Sequence, residues 1–342
     1  MDILSSRPYL FPFLSAFFLS VLFLSFVPVL DRRFLSKRKE SGRSHKPLPR
    51  LGGVALVLSF LVALLFERSI VSSGPFLGLV SGSVLILFFG FRDDIVPIPW
   101  PVQLLFQTGL AILLFISGMR AWVMTNPFGN PVFLHPESVI WPSLLIGAFF
   151  TLLIMNAINW ADGVDGLLGG ISFPAFAVLF LVSLRPEVGQ PTVAILSVMF
   201  AGLSLGLLVF NVPPARLLAG TAGSYFLGFG IAALALFSGA KIATTLLVLS
   251  VPVLDVCFVI ASRIRARHSP FRGGDERHLH DRLRNAGWSD GAIMIFFTFV
   301  SAISGIAALV LPAMGKAFFL LALGAGFVFF VSSLGNVTKK EV

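Results

Sequence analysis

Charged side chains are scarce in this sequence: Asp, Glu, Lys and Arg make up 12% of 342 residues, against 56% hydrophobic and a mean hydropathy of +0.94. That leaves too little polar surface to cover a water-soluble globule, which excludes one. Cysteine is nearly absent too. Cys257 has no partner, so there is no disulfide framework and the thiol says little about redox compartment. No small-x-small cleavage pattern precedes Asp31, and only Arg7 comes before the first apolar run, so residues 1–30 read as a retained first span, not a signal peptide. A fixed-period repeat, an inverted half-repeat and a dividing linker are also missing, so residues 1–342 read as one integral-membrane domain.

What is present is a series of eleven apolar runs, at about 9–30, 51–66, 75–91, 101–119, 139–159, 167–184, 192–212, 223–239, 242–261, 291–311 and 317–334. They predict an all-α polytopic transmembrane bundle of 10–11 spans. The run 242–261 looks broken, with Pro252 and Asp255 inside it. Two short β-prone runs around Asn126, Pro127, Gly129 and Asn130 predict a small external hairpin. The net charge of +9 could suggest nucleic acid, but its placement does not: alternate loops hold nineteen Lys and Arg, and the other side holds six. This positive-inside pattern puts the N-terminus outside, the C-terminus inside and the polar loops on the cytoplasmic face.

Four polar clusters fall on that face. "GFRDDI" places Asp93 and Asp94 at the end of a span; neighbours on a helix point about 100° apart, so the two carboxylates do not share a ligand site face-on. "NAINWADGVDGLLGG" spaces Asn156, Asn159, Asp162 and Asp165 by three, a polar stripe among glycines that let the backbone approach a ligand. "NVPPARLLAGTAGSYFLGFG" has Asn211 ending a span and Gly220 to Ser224 opening the next, where backbone N–H groups form an anion site or small residues simply pack. In "SPFRGGDERHLHDRL", His278 and His280 face apart on a helix but share a side if extended. The spacing fits zinc poorly, and Arg272, Arg277, Arg282 and Arg284 suit a diphosphate clamp. Carboxylates with a divalent cation, opposite basic groups, are what phosphoryl transfer at a membrane surface requires.

These motifs, with "HKPLPRLGG" at 45–53 and "VPVLD" at 251–255, resemble those of the polyprenyl-phosphate N-acetylhexosamine-1-phosphate transferases over nearly the whole chain, most of all the bacterial undecaprenyl-phosphate GlcNAc-1-phosphate transferase branch. The resemblance implies transfer of an N-acetylated amino-sugar 1-phosphate from a UDP-sugar to polyprenyl phosphate. UMP is released, and lipid-linked O-antigen, capsule or cell-wall polymer synthesis begins. It implies a multi-pass protein of a bacterial or archaeal cytoplasmic membrane, magnesium (or manganese) as cofactor, no nucleic-acid partner, and leaves a homodimer open. By motif, Asp93, Asp94 and Asp162 are the catalytic acids. Asn159 and Asp93 are metal ligands. Lys46, Arg50, Asn156, Gly163, Asp165, Asn211, His278, His280 and Arg282 hold substrate.

Three departures stand out. Thr221 replaces a magnesium-binding Asp, and Leu218 stands where the pattern has an aromatic; Asp281 replaces the last histidine of His-x-His-His; and positions 101–103 lack the usual basic residues. A relocated charge is one expectation, with Asp281 supplying the metal ligand lost at Thr221. The alternatives are a catalytically impaired relative that binds substrate or partner proteins, and a transporter, which would need ionisable residues near the bilayer midplane.

Overall fold

The computed structural model describes residues 7–34, 48–124, 126, 129–130, 132–134, 139–237, 241–270 and 277–337; Lys46, Pro127 and Arg272 lie outside them. Helices follow the apolar runs: α1 (Arg7–Phe34), α2 (Gly52–Phe66), α3 (Gly74–Ile95), α4 (Trp100–Ile116), α5 (Ile140–Ala161), α6 (Leu167–Ser183), α7 (Pro191–Asn211), α8 (Gly220–Phe237), α9 (Ile242–Val248), α10 (Ser250–Arg265), α11 (Leu279–Asn285), α12 (Asp290–Val310) and α13 (Ala313–Val337). Between α4 and α5, β1 (Val123–Met124) and β2 (Val132–Phe133) pair antiparallel, Val123 opposite Phe133. This is the hairpin expected from its turn residues.

All eleven apolar runs become helices, but not all are full-length crossings. Seven (α1, α3, α5, α7, α8, α12 and α13) are long and apolar enough to cross a membrane, and the pair α9 and α10, bent by 86°, passes the same test only when taken together as one broken span. The other three, α2, α4 and α6, have 15, 17 and 17 residues. At roughly 1.5 Å per residue they reach about 22–26 Å, short of about 30 Å of hydrocarbon. All three begin at the end of the bundle that carries Asp93.

The bend between α9 and α10 has a sequence cause. Pro252 has no N–H to give the carbonyl of Val248 four residues back, and the Ser301 hydroxyl of α12 donates to that carbonyl instead, at 2.6 Å. Helix α8 is the packing axis: 83% of its most apolar window is buried, against 11% for α13. Small residues allow this. A Cβ on Gly53 of α2 would overlap the backbone of Gly223 in α8, and one on Gly90 of α3 would overlap Ala222. The start of α2 and the end of α3 therefore lie directly on the start of α8.

Candidate active site

The first half of the site forms where α3 ends against α8. Asp93 and Asp94 are buried, 7% and 4% exposed. Asp94 accepts from the backbone N–H of Thr221 (2.8 Å) and of Ala222 (3.2 Å), so it caps α8 and complements the positive end of its dipole. Asp93 Oδ2 accepts from the Thr221 hydroxyl at 2.6 Å, and Oδ1 accepts from Ile98 N (2.6 Å) and Gln103 Nε2 (3.3 Å). The two carboxylates thus converge on one residue, because Thr221 presents its hydroxyl and its amide in different directions. The open anion site expected at the start of α8 is filled by the protein's own Asp94. Gly220 makes the turn with φ +68°, and a Cβ there would lie 2.7 Å from the Arg50 carbonyl. Residues 48–53 are drawn in by backbone bonds: Leu218 N to Pro49 O at 2.7 Å and Gly53 N to Ala219 O at 2.7 Å.

The second wall is the stretch after α5. Asn159 Oδ1 accepts from the Ser224 hydroxyl at 2.7 Å, which ties the stripe to α8 one turn beyond Thr221. Half-buried Asp162 ends α5, and Asp165 Oδ2 accepts from Ala215 N at 3.0 Å. Two residues expected to hold substrate also make bonds within the protein. The Asn156 amide donates to Gln107 (2.6 Å) and to the Leu152 carbonyl, and buried Asn211 bridges Gly166 N (2.9 Å) and Leu217 O (2.8 Å).

The histidine arm closes over the glycines. His278 Nδ1 lies 2.7 Å from Asp255 Oδ2, and Leu279 N donates to Asp255 Oδ1 at 2.7 Å. His278 is extended at the start of α11, so its ring stacks on that of His280, with centroids 5.5 Å apart and planes 8° apart. Of the two arrangements open in the sequence, the shared side is realised. His280 is buried against Gly163, where a Cβ would run into its Nε2. Arg284 donates to Asp290 (2.9 Å) and to Gly163 O (3.4 Å); the bond to Asp290 raises its pKa, and Asp281 and Asp165 add to this. Burial pulls Arg282 below the usual guanidinium range and Asp255 opposes that, while its Nε holds the Arg277 carbonyl.

Asp281 has other company than expected for a ligand beside Thr221: it lies 3.5 Å from His280 Nε2 and 3.5 Å from Arg284 Nη1. Among the described residues, no three of His, Cys, Asp and Glu gather into a metal-holding group. The donors around Thr221 are nevertheless all oxygen: the Asp93 and Asp94 carboxylates, the Thr221 hydroxyl and the Asn159 carbonyl. Such a set fits a hard cation such as magnesium and not zinc. Sequence reasoning missed Gln103 and the Ser224 hydroxyl as partners of Asp93 and Asn159. Asp255, which the sequence placed inside the broken run 242–261, pairs with His278.

The sequence model of glycosyl transferase family 4 matches residues 76–239, which hold both the Asp pair and the α5–α8 wall. A probable undecaprenyl-phosphate N-acetylglucosaminyl 1-phosphate transferase of Bacillus subtilis is 28% identical over 315 residues, 87% of this chain and 84% of that protein. A phospho-N-acetylmuramoyl-pentapeptide-transferase of Geobacillus thermodenitrificans is 30% identical over 306 residues, 82% of this chain and 90% of the other. A decaprenyl-phosphate N-acetylglucosaminephosphotransferase of Mycolicibacterium smegmatis is 29% identical over 324 residues, 85% and 79% of the two chains.

Proposed function

The chain belongs to glycosyl transferase family 4, and on that premise we propose that it transfers an N-acetylated amino-sugar 1-phosphate from a UDP-sugar to a polyprenyl phosphate on the cytoplasmic face of the membrane, releasing UMP. The observation that carries this reading is the meeting of Asp93 and Asp94 with the Asn159–Asp165 wall at the start of α8. In the proposed roles, Asp94 takes the proton of the attacking lipid phosphate. Gly163 and Asp165 hold the uracil, and Asp255 keeps His278 turned so that its Nε2 meets a phosphate or sugar oxygen. Arg282 and Arg50 offset phosphate charge. Magnesium, held by Asp93, Asn159 and the Thr221 hydroxyl, would supply charge stabilisation for the diphosphate. The nineteen-to-six bias of Lys and Arg supports the cytoplasmic face.

Thr221 favours one second reading, a relative that binds substrate without turnover, because a neutral hydroxyl is a weaker magnesium ligand than a carboxylate. Purified protein incubated with polyprenyl phosphate, magnesium and a panel of UDP-amino sugars separates the two. UMP release with one donor supports the transferase; binding of UDP-sugar with no UMP from any donor supports the second reading.

A further inference from the structure

Among the described residues, Tyr225 of α8 is the largest fully buried side chain, and the proposed function gives it no role. A buried tyrosine needs a partner for its hydroxyl. Here the partner is Gln103 of α4: the hydroxyl donates to Oε1 at 2.8 Å. The same amide uses its nitrogen on two acceptors, the Ile98 carbonyl at 2.9 Å and Asp93 Oδ1 at 3.3 Å.

These bonds fix which way the amide faces. Turned over, Gln103 would set its oxygen against a carbonyl and a carboxylate, both acceptors, and would offer no oxygen to the tyrosine hydroxyl. The tyrosine ring is itself held in place. Its centroid lies 6.3 Å from that of Phe89 with the planes 11° apart, and Phe89 stacks on Phe106 of α4 with centroids 3.8 Å apart. One turn beyond Gln103 on α4, buried Gln107 accepts from Asn156 at 2.6 Å, so α4 is pinned to α5 as well.

Thr221 and Tyr225 are one turn apart and share a face of α8. Thr221 donates directly to Asp93 Oδ2 at 2.6 Å, and Tyr225 reaches Oδ1 through Gln103. Helix α8 thus acts on both oxygens of one carboxylate. Gln103 belongs to the stretch 101–103 that lacks the usual basic residues, so a neutral amide with a tyrosine behind it stands beside Asp93.

We propose that Tyr225 is a positioning residue for Asp93, acting through Gln103: its hydroxyl keeps the amide nitrogen aimed at Oδ1 and so fixes the plane of the carboxylate. The inference rests on the transferase reading for what Asp93 does, and on the hydrogen bonds alone for how Asp93 is held.

Two measurements on the full-length protein test it. In isotope-edited infrared spectra of protein with carboxyl-labelled aspartate, the Asp93 band is the one that Asp93→Asn removes. Tyr225→Phe and Gln103→Met should each move that band. In the UMP assay, Tyr225→Phe should lower kcat about ten-fold with the KM for UDP-sugar unchanged, and adding it to Gln103→Met should lower kcat no further. A tyrosine that only stabilises the bundle would lower the melting temperature of both backgrounds alike and leave the band and the kcat of folded protein in place. An Asp93 band unmoved in Tyr225→Phe overturns the proposal, as does a second full ten-fold loss in the Gln103→Met background. Should Tyr225→Phe fail to fold, an unmoved band in Gln103→Met overturns it instead. If no donor yields UMP, the transferase reading falls, while the Asp93 band still decides this one.

Discussion

Thr221 donates its hydroxyl to Asp93 Oδ2 at 2.6 Å, while its backbone N–H, at 2.8 Å, goes to Asp94. A residue that in the family pattern would be a third carboxylate here acts as a donor to the other two. Thr221→Val would leave buried Asp93 short of one hydrogen bond, a loss of about 1–3 kcal/mol, and Thr221→Ser would keep it. The expected outcome is a lower melting temperature and at least about ten-fold less UMP release for Val, with Ser near wild type. Thermal unfolding and the UMP assay on both variants check it.

Thr221→Asp should make the fold depend on metal. The new carboxylate would stand against buried Asp93 and Asp94, and like charges in a poorly solvated site repel strongly unless a cation joins them. Melting in EDTA should fall well below wild type and recover with magnesium; the same melting temperature with and without magnesium would count against a metal site here.

Asp255→Asn tests whether the histidine arm is set from below. Asp255 binds both His278 Nδ1 and Leu279 N, and a hydrogen bond to a charged group is worth about 1.5–3 kcal/mol. A ten- to hundred-fold fall in kcat/KM is expected, with a changed pH–rate profile, since the asparagine no longer fixes which ring nitrogen carries the proton.

Gly163→Ala places a methyl against His280 Nε2. The ring must swing away or the loop must open, so activity should fall while the bundle, whose core lies elsewhere, melts close to wild type. Activity and melting temperature measured on one preparation decide it.

Lys241 gives a pH signature. Its pKa in the folded protein is lowered, first by burial, so between that value and 10.5 the unfolded chain binds more protons than the folded one and stability rises with pH. Protein in neutral detergent should therefore show a rise in melting temperature on the alkaline side that Lys241→Met lacks.

Much of this molecule was legible in its sequence because the governing signals are local. Apolar run length gave the helices, turn residues between Val123 and Phe133 gave the hairpin, and Asn159, Asp162 and Asp165 already pointed to the wall. What was not legible depends on partners distant in sequence. Nothing near Asn211 says that its amide clamps Gly166 and Leu217, nor does anything near Asp94 say that it will cap a helix 127 positions away. Nothing near Asp255 says that the chain beyond α10 brings His278 back to it. The apolar runs of α2, α4 and α6 fold into helices of 15–17 residues, shorter than the seven long spans.

The most direct test of the central claim is UMP release by the purified protein from a panel of UDP-amino sugars with polyprenyl phosphate, compared with Asp93→Asn and with EDTA. One donor should yield UMP in step with a lipid-linked sugar diphosphate, and both Asp93→Asn and EDTA should abolish it. UMP release that persists in Asp93→Asn, or no release from any donor by a protein that still binds UDP-sugar, would contradict the account.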